Sequence, residues 1–97
     1  MPDALRPRQR ARLKARAHAL EPTVQIGHAG VSDTVVVEVD RSLTAHGLIK
    51  VKIAGDRHER DALAATLAER TDATIVQQVG RIVVLWRPRA EDEPLDD

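Results

Sequence analysis

The chain has 97 residues, 42% of them hydrophobic and 31% charged, with a formal net charge of zero; this is one domain's worth of sequence and too apolar for general disorder. It contains no cysteine, which excludes disulfides, thiolate catalysis and cysteine-ligated zinc. The longest apolar run, Ile82–Trp86, is five residues against about twenty for a membrane span, and residues 1–16 interleave Arg with Ala, Pro and Gln instead of offering a signal peptide's apolar core, so the chain is expected in the cytoplasm.

With no Phe, no Tyr and the single Trp86, the core must be aliphatic. Residues 8–20 read as a helix: Ala and Arg are strong helix formers, and Leu13, Ala17 and Leu20 fall on one stripe. Pro7 suits a first helical position. Pro22 marks a break, and residues 23–26 form a short strand ending at Gly27. Ser32 is a good N-cap for a second helix, with Val35 or Val36, Val39 and Leu43 on its apolar face. Three consecutive valines oppose helix locally, so that assignment rests on the periodicity. Gly47 closes the helix.

Residues 48–54 alternate, with Ile49, Val51 and Ile53 on one side and Lys50 and Lys52 on the other: a half-buried strand. Asp56 can cap a third helix whose buried stripe is Leu63, Ala64, Leu67 and Ala68. Residues 73–79 and Ile82–Trp86 are two strands around Gly80-Arg81, a hairpin turn. The predicted order is α-β-α-β-α-β-β. Strands separated by helices should pair in parallel through right-handed crossovers, and the closing hairpin is antiparallel. The fold class is therefore α/β, a mixed four-stranded sheet packed on helices.

The net charge hides an asymmetry. Six of the fifteen basic residues (Arg6, Arg8, Arg10, Arg12, Lys14, Arg16) lie in the first sixteen positions, and five of the fifteen acidic ones (Glu91, Asp92, Glu93, Asp96, Asp97) lie in the last seven. Up to Ala90 the chain has fifteen basic residues against ten acidic, a formal +5. A basic body with an acidic tail suits contact with a polyanion, although two solvated ends would read the same way.

Gly27-His28-Ala29-Gly30 stands between the first strand and the second helix. Glycine permits positive φ and close approach of a ligand, and the following helix start offers N–H groups and the positive end of its dipole. A GxxG loop before a helix is how KH modules clamp a nucleic-acid backbone. By itself the spacing also fits a plain strand–helix turn, and Asp33 in the helix's first turn opposes an anion.

The loop belongs to a longer pattern. Leu13-Lys14 is followed by Ala17-His18-Ala19-Leu20-Glu21-Pro22, then by the GxxG loop. His46-Gly47-Leu48-Ile49-Lys50-Val51-Lys52 and Val79-Gly80-Arg81-Ile82-Val83-Val84-Leu85-Trp86-Arg87-Pro88 complete it. On these residues the chain resembles the YhbY-type CRM domain, the module of chloroplast RNA splicing and ribosome maturation, over about residues 5–88. The resemblance implies an RNA-binding fold similar to the C-terminal domain of a bacterial initiation factor, and association with ribosomal RNA in precursors of the large subunit. The chain departs from the pattern at Trp86, where Tyr is frequent, at Ala19, where Pro is frequent, and in its tail, which is acidic where the family's is often basic.

Residues 5–89 are thus expected to form an RNA-binding domain and 90–97 a disordered acidic tail. RNA is assigned to Gly27, His28, Ala29 and Gly30, with Arg10, Lys14, Arg16, Lys50, Lys52 and Arg81 around them. Arg6, Arg10 and Lys14 line one flank of the first helix and Arg8, Arg12 and Arg16 another, outside the apolar stripe. Trp86 continues an apolar strand and is read as core. No histidine has a metal-ligand spacing, and Ser32 and Ser42 lack His–carboxylate partners, so no cofactor, metal or enzymatic activity is expected. The alternative function is a protein-interaction module docking on a ribosomal protein or assembly factor through the tail.

Overall fold

The computed structural model describes residues 5–92 and 95, and its elements run α1 (Pro7–Ala17), β1 (Pro22–Ile26), α2 (Asp33–His46), β2 (Leu48–Ile53), α3 (Arg57–Thr71), β3 (Thr74–Val79) and β4 (Ile82–Trp86). The caps sit where the sequence puts them. Ser32 Oγ accepts from the Val35 N–H at 3.2 Å. Asp56 accepts from the Glu59 N–H at 2.9 Å while its own N–H donates to Glu59 Oε1 at 3.0 Å, a reciprocal capping box. Gly47 ends α2 at φ 76°, a left-handed conformation that glycine adopts without cost. The valine run stays helical because Val39 and Leu43 are fully buried and Val35 and Val36 pack beside them, leaving Val37 in solvent. Helix α1 stops at Ala17, short of the expected end, and turns at once, the Leu20 N–H donating to the Ala17 carbonyl at 2.9 Å.

The sheet order is β1-β2-β4-β3. β1 and β2 pair in parallel and the β3–β4 hairpin is antiparallel, as expected. The expectation that β2 and β3 would also pair is corrected: β4 inserts between them, antiparallel to both. Hydrophobicity on both faces explains it. β4 buries Val83 and Leu85 on one side and Val84 on the other, a pattern suited to a central strand. β3, with Gln77, Gln78 and an exposed Val79, takes the edge.

Each sheet face has its own core. On one, α2 and α3 cover Val24, Ile26, Ile49, Val51, Ile53, Val83 and Leu85 with Val39, Leu43, Ala64, Leu67 and Ala68. On the other, α1 lays Leu13 and Ala17 on Leu48, Val76 and Val84, with Leu5, Leu20, Trp86 and Leu95 at the margin. Arg87, just past β4, fastens α2 to α3. Its guanidinium donates to Asp40 Oδ1 at 2.7 Å, Thr44 Oγ1 at 2.9 Å and the Thr71 carbonyl at 2.9 Å.

Attachments also continue past the expected domain end at residue 89. Arg89 Nη2 bonds Asp92 Oδ1 at 2.7 Å, and Leu95 packs on the α1-side core. The expected tail, residues 90–97, falls in part on residues 93, 94, 96 and 97, which lie outside the described residues.

Candidate nucleic-acid interface

Three turns meet at the end of the sheet where β1 and β2 finish. The Ala54 N–H donates to the Ile26 carbonyl at 2.9 Å, joining the end of β2 to the start of the Gly27–Gly30 loop. The Ile53 N–H donates to the Arg81 carbonyl at 2.7 Å, drawing in the β3–β4 turn. Loop, α3 start and hairpin thus form one continuous rim.

Within the loop the two glycines do different work. The Gly30 N–H donates to the Gly27 carbonyl at 3.1 Å, closing a tight turn, and Gly30 has φ +80°. A side chain at Gly30 would be strained, and its Cβ would lie 3.5 Å from Leu63 of α3. Gly27 has neither demand: its φ is not positive, and an added Cβ would meet nothing within 4 Å. Gly27 leaves bare backbone facing open space. His28 and Ala29 are exposed beside it.

The helix start supplies donors. The first four N–H groups of a helix have no intrahelical acceptor; in α2 Ser32 Oγ takes that of Val35, which leaves those of Ser32, Asp33 and Thr34 at the loop's exit. The objection raised by Asp33 is weakened by Arg70, whose Nη2 lies 2.7 Å from Asp33 Oδ1.

Lys50 and Lys52 point to the α1 side, since Ile49, Val51 and Ile53 alternate with them into the opposite core. Lys52 is exposed and pairs in register with Gln25, one residue from Ile26, so it stands just below the loop. Lys50 is half-buried, two residues nearer α1. Arg81 is exposed on the rim itself.

Helix α1 lies over the other half of this face. Lys14 is exposed on it. Arg16 shares a hollow with Leu20, the carboxylate Glu21, Thr23, His46 and Leu48 at the start of β2, so the length of the strand, about 17 Å, separates it from the loop. Arg10 is engaged inside the fold, its Nη1 donating to the carbonyls of Ile75, at 3.0 Å, and Val76. The structure thus brings together the loop, Arg81, Lys52 and Lys50, leaves Lys14 and Arg16 farther along the same face, and commits Arg10 to β3.

Sequence reasoning passed over Arg57 and Arg60. They line a polar hollow of about 420 Å3 with Asp61, Gln78 and Gly80, on the hairpin side of the rim. The signal was available: Arg57 is the first residue of α3, where a cation opposes the helix dipole. Among the described residues there is no group of three or more metal-ligating side chains, and no helix long and apolar enough to cross a membrane.

Fold and rim together define a small α/β domain with a KH-like glycine loop between strand and helix. The chain belongs to the CRS1 / YhbY (CRM) domain family, whose pattern matches residues 5–87. It is 40% identical over 85 residues, 87% of this chain and 86% of the relative, to an RNA-binding protein of Haemophilus influenzae. It is 45% identical over 83 residues to a "probable RNA-binding protein" of Methanocaldococcus jannaschii, a match spanning 79% of this chain and 59% of that one. The solution structure of a hypothetical protein from Staphylococcus aureus superposes with a TM-score of 0.82 at 30% identity, covering 96% of this chain and 98% of that one.

Proposed function

We propose that this chain is a non-catalytic RNA-binding protein that grips the sugar–phosphate backbone at Gly27-His28-Ala29-Gly30 and steers it along the α1 side of the sheet with Lys52, Lys50, Arg81, Lys14 and Arg16. The observation that carries this reading is Gly27. No backbone angle and no neighbouring atom requires a glycine there, yet it keeps the approach to the α2 start clear. A phosphate oxygen there would meet backbone donors and the positive end of the helix dipole. Family membership and the names of the relatives support RNA as the ligand. The finer assignment, ribosomal RNA in a large-subunit precursor, follows the family resemblance, and the cytoplasm as its place follows the composition argument above.

The test replaces His28 and Ala29 together by Asp. Both are exposed and lie between the glycines, so the change repels phosphate without straining the turn. Cooperative melting and circular dichroism should match the parent. RNA affinity should fall at least tenfold, about 1.4 kcal/mol. A folded double variant that binds RNA like the parent would reduce the loop to an ordinary turn.

A further inference from the structure

We infer that the hollow between the start of α3 and the β3–β4 turn reads one unpaired base of the bound RNA, a guanine, through Arg60 and Asp61. This deepens the RNA reading above and rests on it. The hollow, about 420 Å3, is lined by Arg57, Arg60, Asp61, Gln78 and Gly80. That volume lies within the range of small-ligand sites and is more than a single phosphate fills.

Arg60 sets the first demand. Its Nη1 donates to the Gly55 carbonyl at 2.6 Å, while its Nε is buried and meets no acceptor among the described residues. A buried donor left unpaired is costly. Nε and Nη2 form one edge of the guanidinium, a fork for two acceptors side by side. Asp61 sets the second demand. Its Oδ1 accepts from Gln78 Nε2 at 2.9 Å, and its Oδ2 accepts from nothing among the described residues, so it keeps an oxygen for a donor.

Charge decides between base and phosphate. Arg57 and Arg60 stand with Asp61 in the lining, and Asp56 and Glu59 occupy the capping box of the same turn. Such a near balance suits a neutral base better than an anion. Guanine alone of the four bases presents two adjacent acceptors, O6 and N7, on one edge and two adjacent donors, N1–H and the amino group, on the next. The one aromatic residue, Trp86, packs at the margin of the α1-side core, at the far end of β4 from the hollow. A base here therefore stacks on a guanidinium plane instead, and the exposed Arg57 supplies one.

The hollow also adjoins the phosphate clamp. Gly55, whose carbonyl holds Arg60, follows Ala54, whose N–H bonds the Ile26 carbonyl at the root of the Gly27–Gly30 loop. A nucleotide with its phosphate on the loop has the hollow beside it.

The experiment uses four hairpin RNAs whose uridine loops carry G, A, C or U at one central position. The full chain should bind the G hairpin at least about fivefold more tightly than the A or U hairpin. Arg60→Lys keeps the charge and loses the fork; Asp61→Asn keeps the shape and loses the carboxylate. Each should abolish the preference and leave affinity for the U hairpin near the parent's. Equal binding of all four by the parent, or a preference for another base, overturns the inference and leaves the RNA reading standing. A preference for G that survives in either variant also overturns it. Circular dichroism and cooperative melting check the fold, and Asp61, which is exposed, keeps the test open if Arg60→Lys does not fold. If the parent binds none of the four, the RNA reading falls and this inference with it.

Discussion

On one face of the sheet, α2 and α3 close over a core of twelve buried side chains; on the other, α1 alone covers five. The larger side neutralises its own charges, as in Asp33 with Arg70 and Asp40 with Arg87. The helix and strands of the smaller side carry cations and no carboxylate, with Glu21 beside Arg16 at the α1–β1 connection. Apolar burial scales with the area removed from water, so stability is concentrated under α2 and α3. The α1 side gives up burial for exposed charge. Under the proposed function, the cations that steer RNA stand on the face opposite the larger core, and variants on the two faces should differ in kind.

The largest effect is expected from Leu67→Ala. Leu67, on the inner face of α3, is fully buried, and such a truncation costs about 2–5 kcal/mol. Chemical denaturation should register the loss, while the salt dependence of RNA binding by the folded fraction stays as in the parent. A changed salt slope would break the separation.

The converse test removes charge from the α1 side. Lys14→Gln, Arg16→Gln and Lys52→Gln together should leave the melting temperature near the parent's. They should reduce the slope of log affinity against log salt by about 0.7–0.9 for every phosphate that is no longer neutralised. Arg10→Gln sharpens the comparison: it lies on the same helix but bonds β3 carbonyls, so it should lower stability and hardly touch the slope.

Nearly all of the fold was legible, because its signals are local. Caps at Ser32 and Asp56, the stop at Gly47, the alternation through Lys50 and Lys52 and the turn at Gly80-Arg81 each depend on a few neighbouring residues. The position of β4 between β2 and β3 was not local, although Ile82–Trp86, apolar throughout, already fitted a central strand better than the glutamine-bearing β3. For the candidate interface, sequence located the loop and the basic helix but counted all cations alike. Arg10, Arg87 and Arg89 donate to partners 65, 47 and 44 positions away in the chain, and no pattern within a short window shows that. Gly27 and Gly30 also looked equivalent, until their φ angles and neighbours separated them.

The smallest expected effect concerns acid. The Glu59 N–H donating to Asp56 holds that carboxyl low, as the Arg89 guanidinium does for Asp92. A folded-state pKa below the unfolded value gives stability that is fully present above the unfolded pKa, about 3.9, and is lost as pH falls through the folded value. Melting followed from neutral pH downward should therefore weaken only below about pH 4. Asp56→Asn should flatten the share that belongs to α3, and Asp92→Asn the share that belongs to the Arg89–Asp92 pair. A profile unaltered by both changes would place the acid sensitivity elsewhere.

The guanidinium of Arg10 on the Ile75 and Val76 carbonyls has a further consequence. β3 is an edge strand, and its unpaired backbone groups are a template for a strand from another molecule. At that point the β3–β4 register shifts between Ile75 and Gln77, and a bulge bends an edge away from straight pairing. A cation seated on two neighbouring carbonyls occupies acceptors that an incoming strand would need. Helix α1 thus acts as a stopper on the open side of the sheet, and losing Arg10 should show as self-association at high protein concentration, with or without RNA.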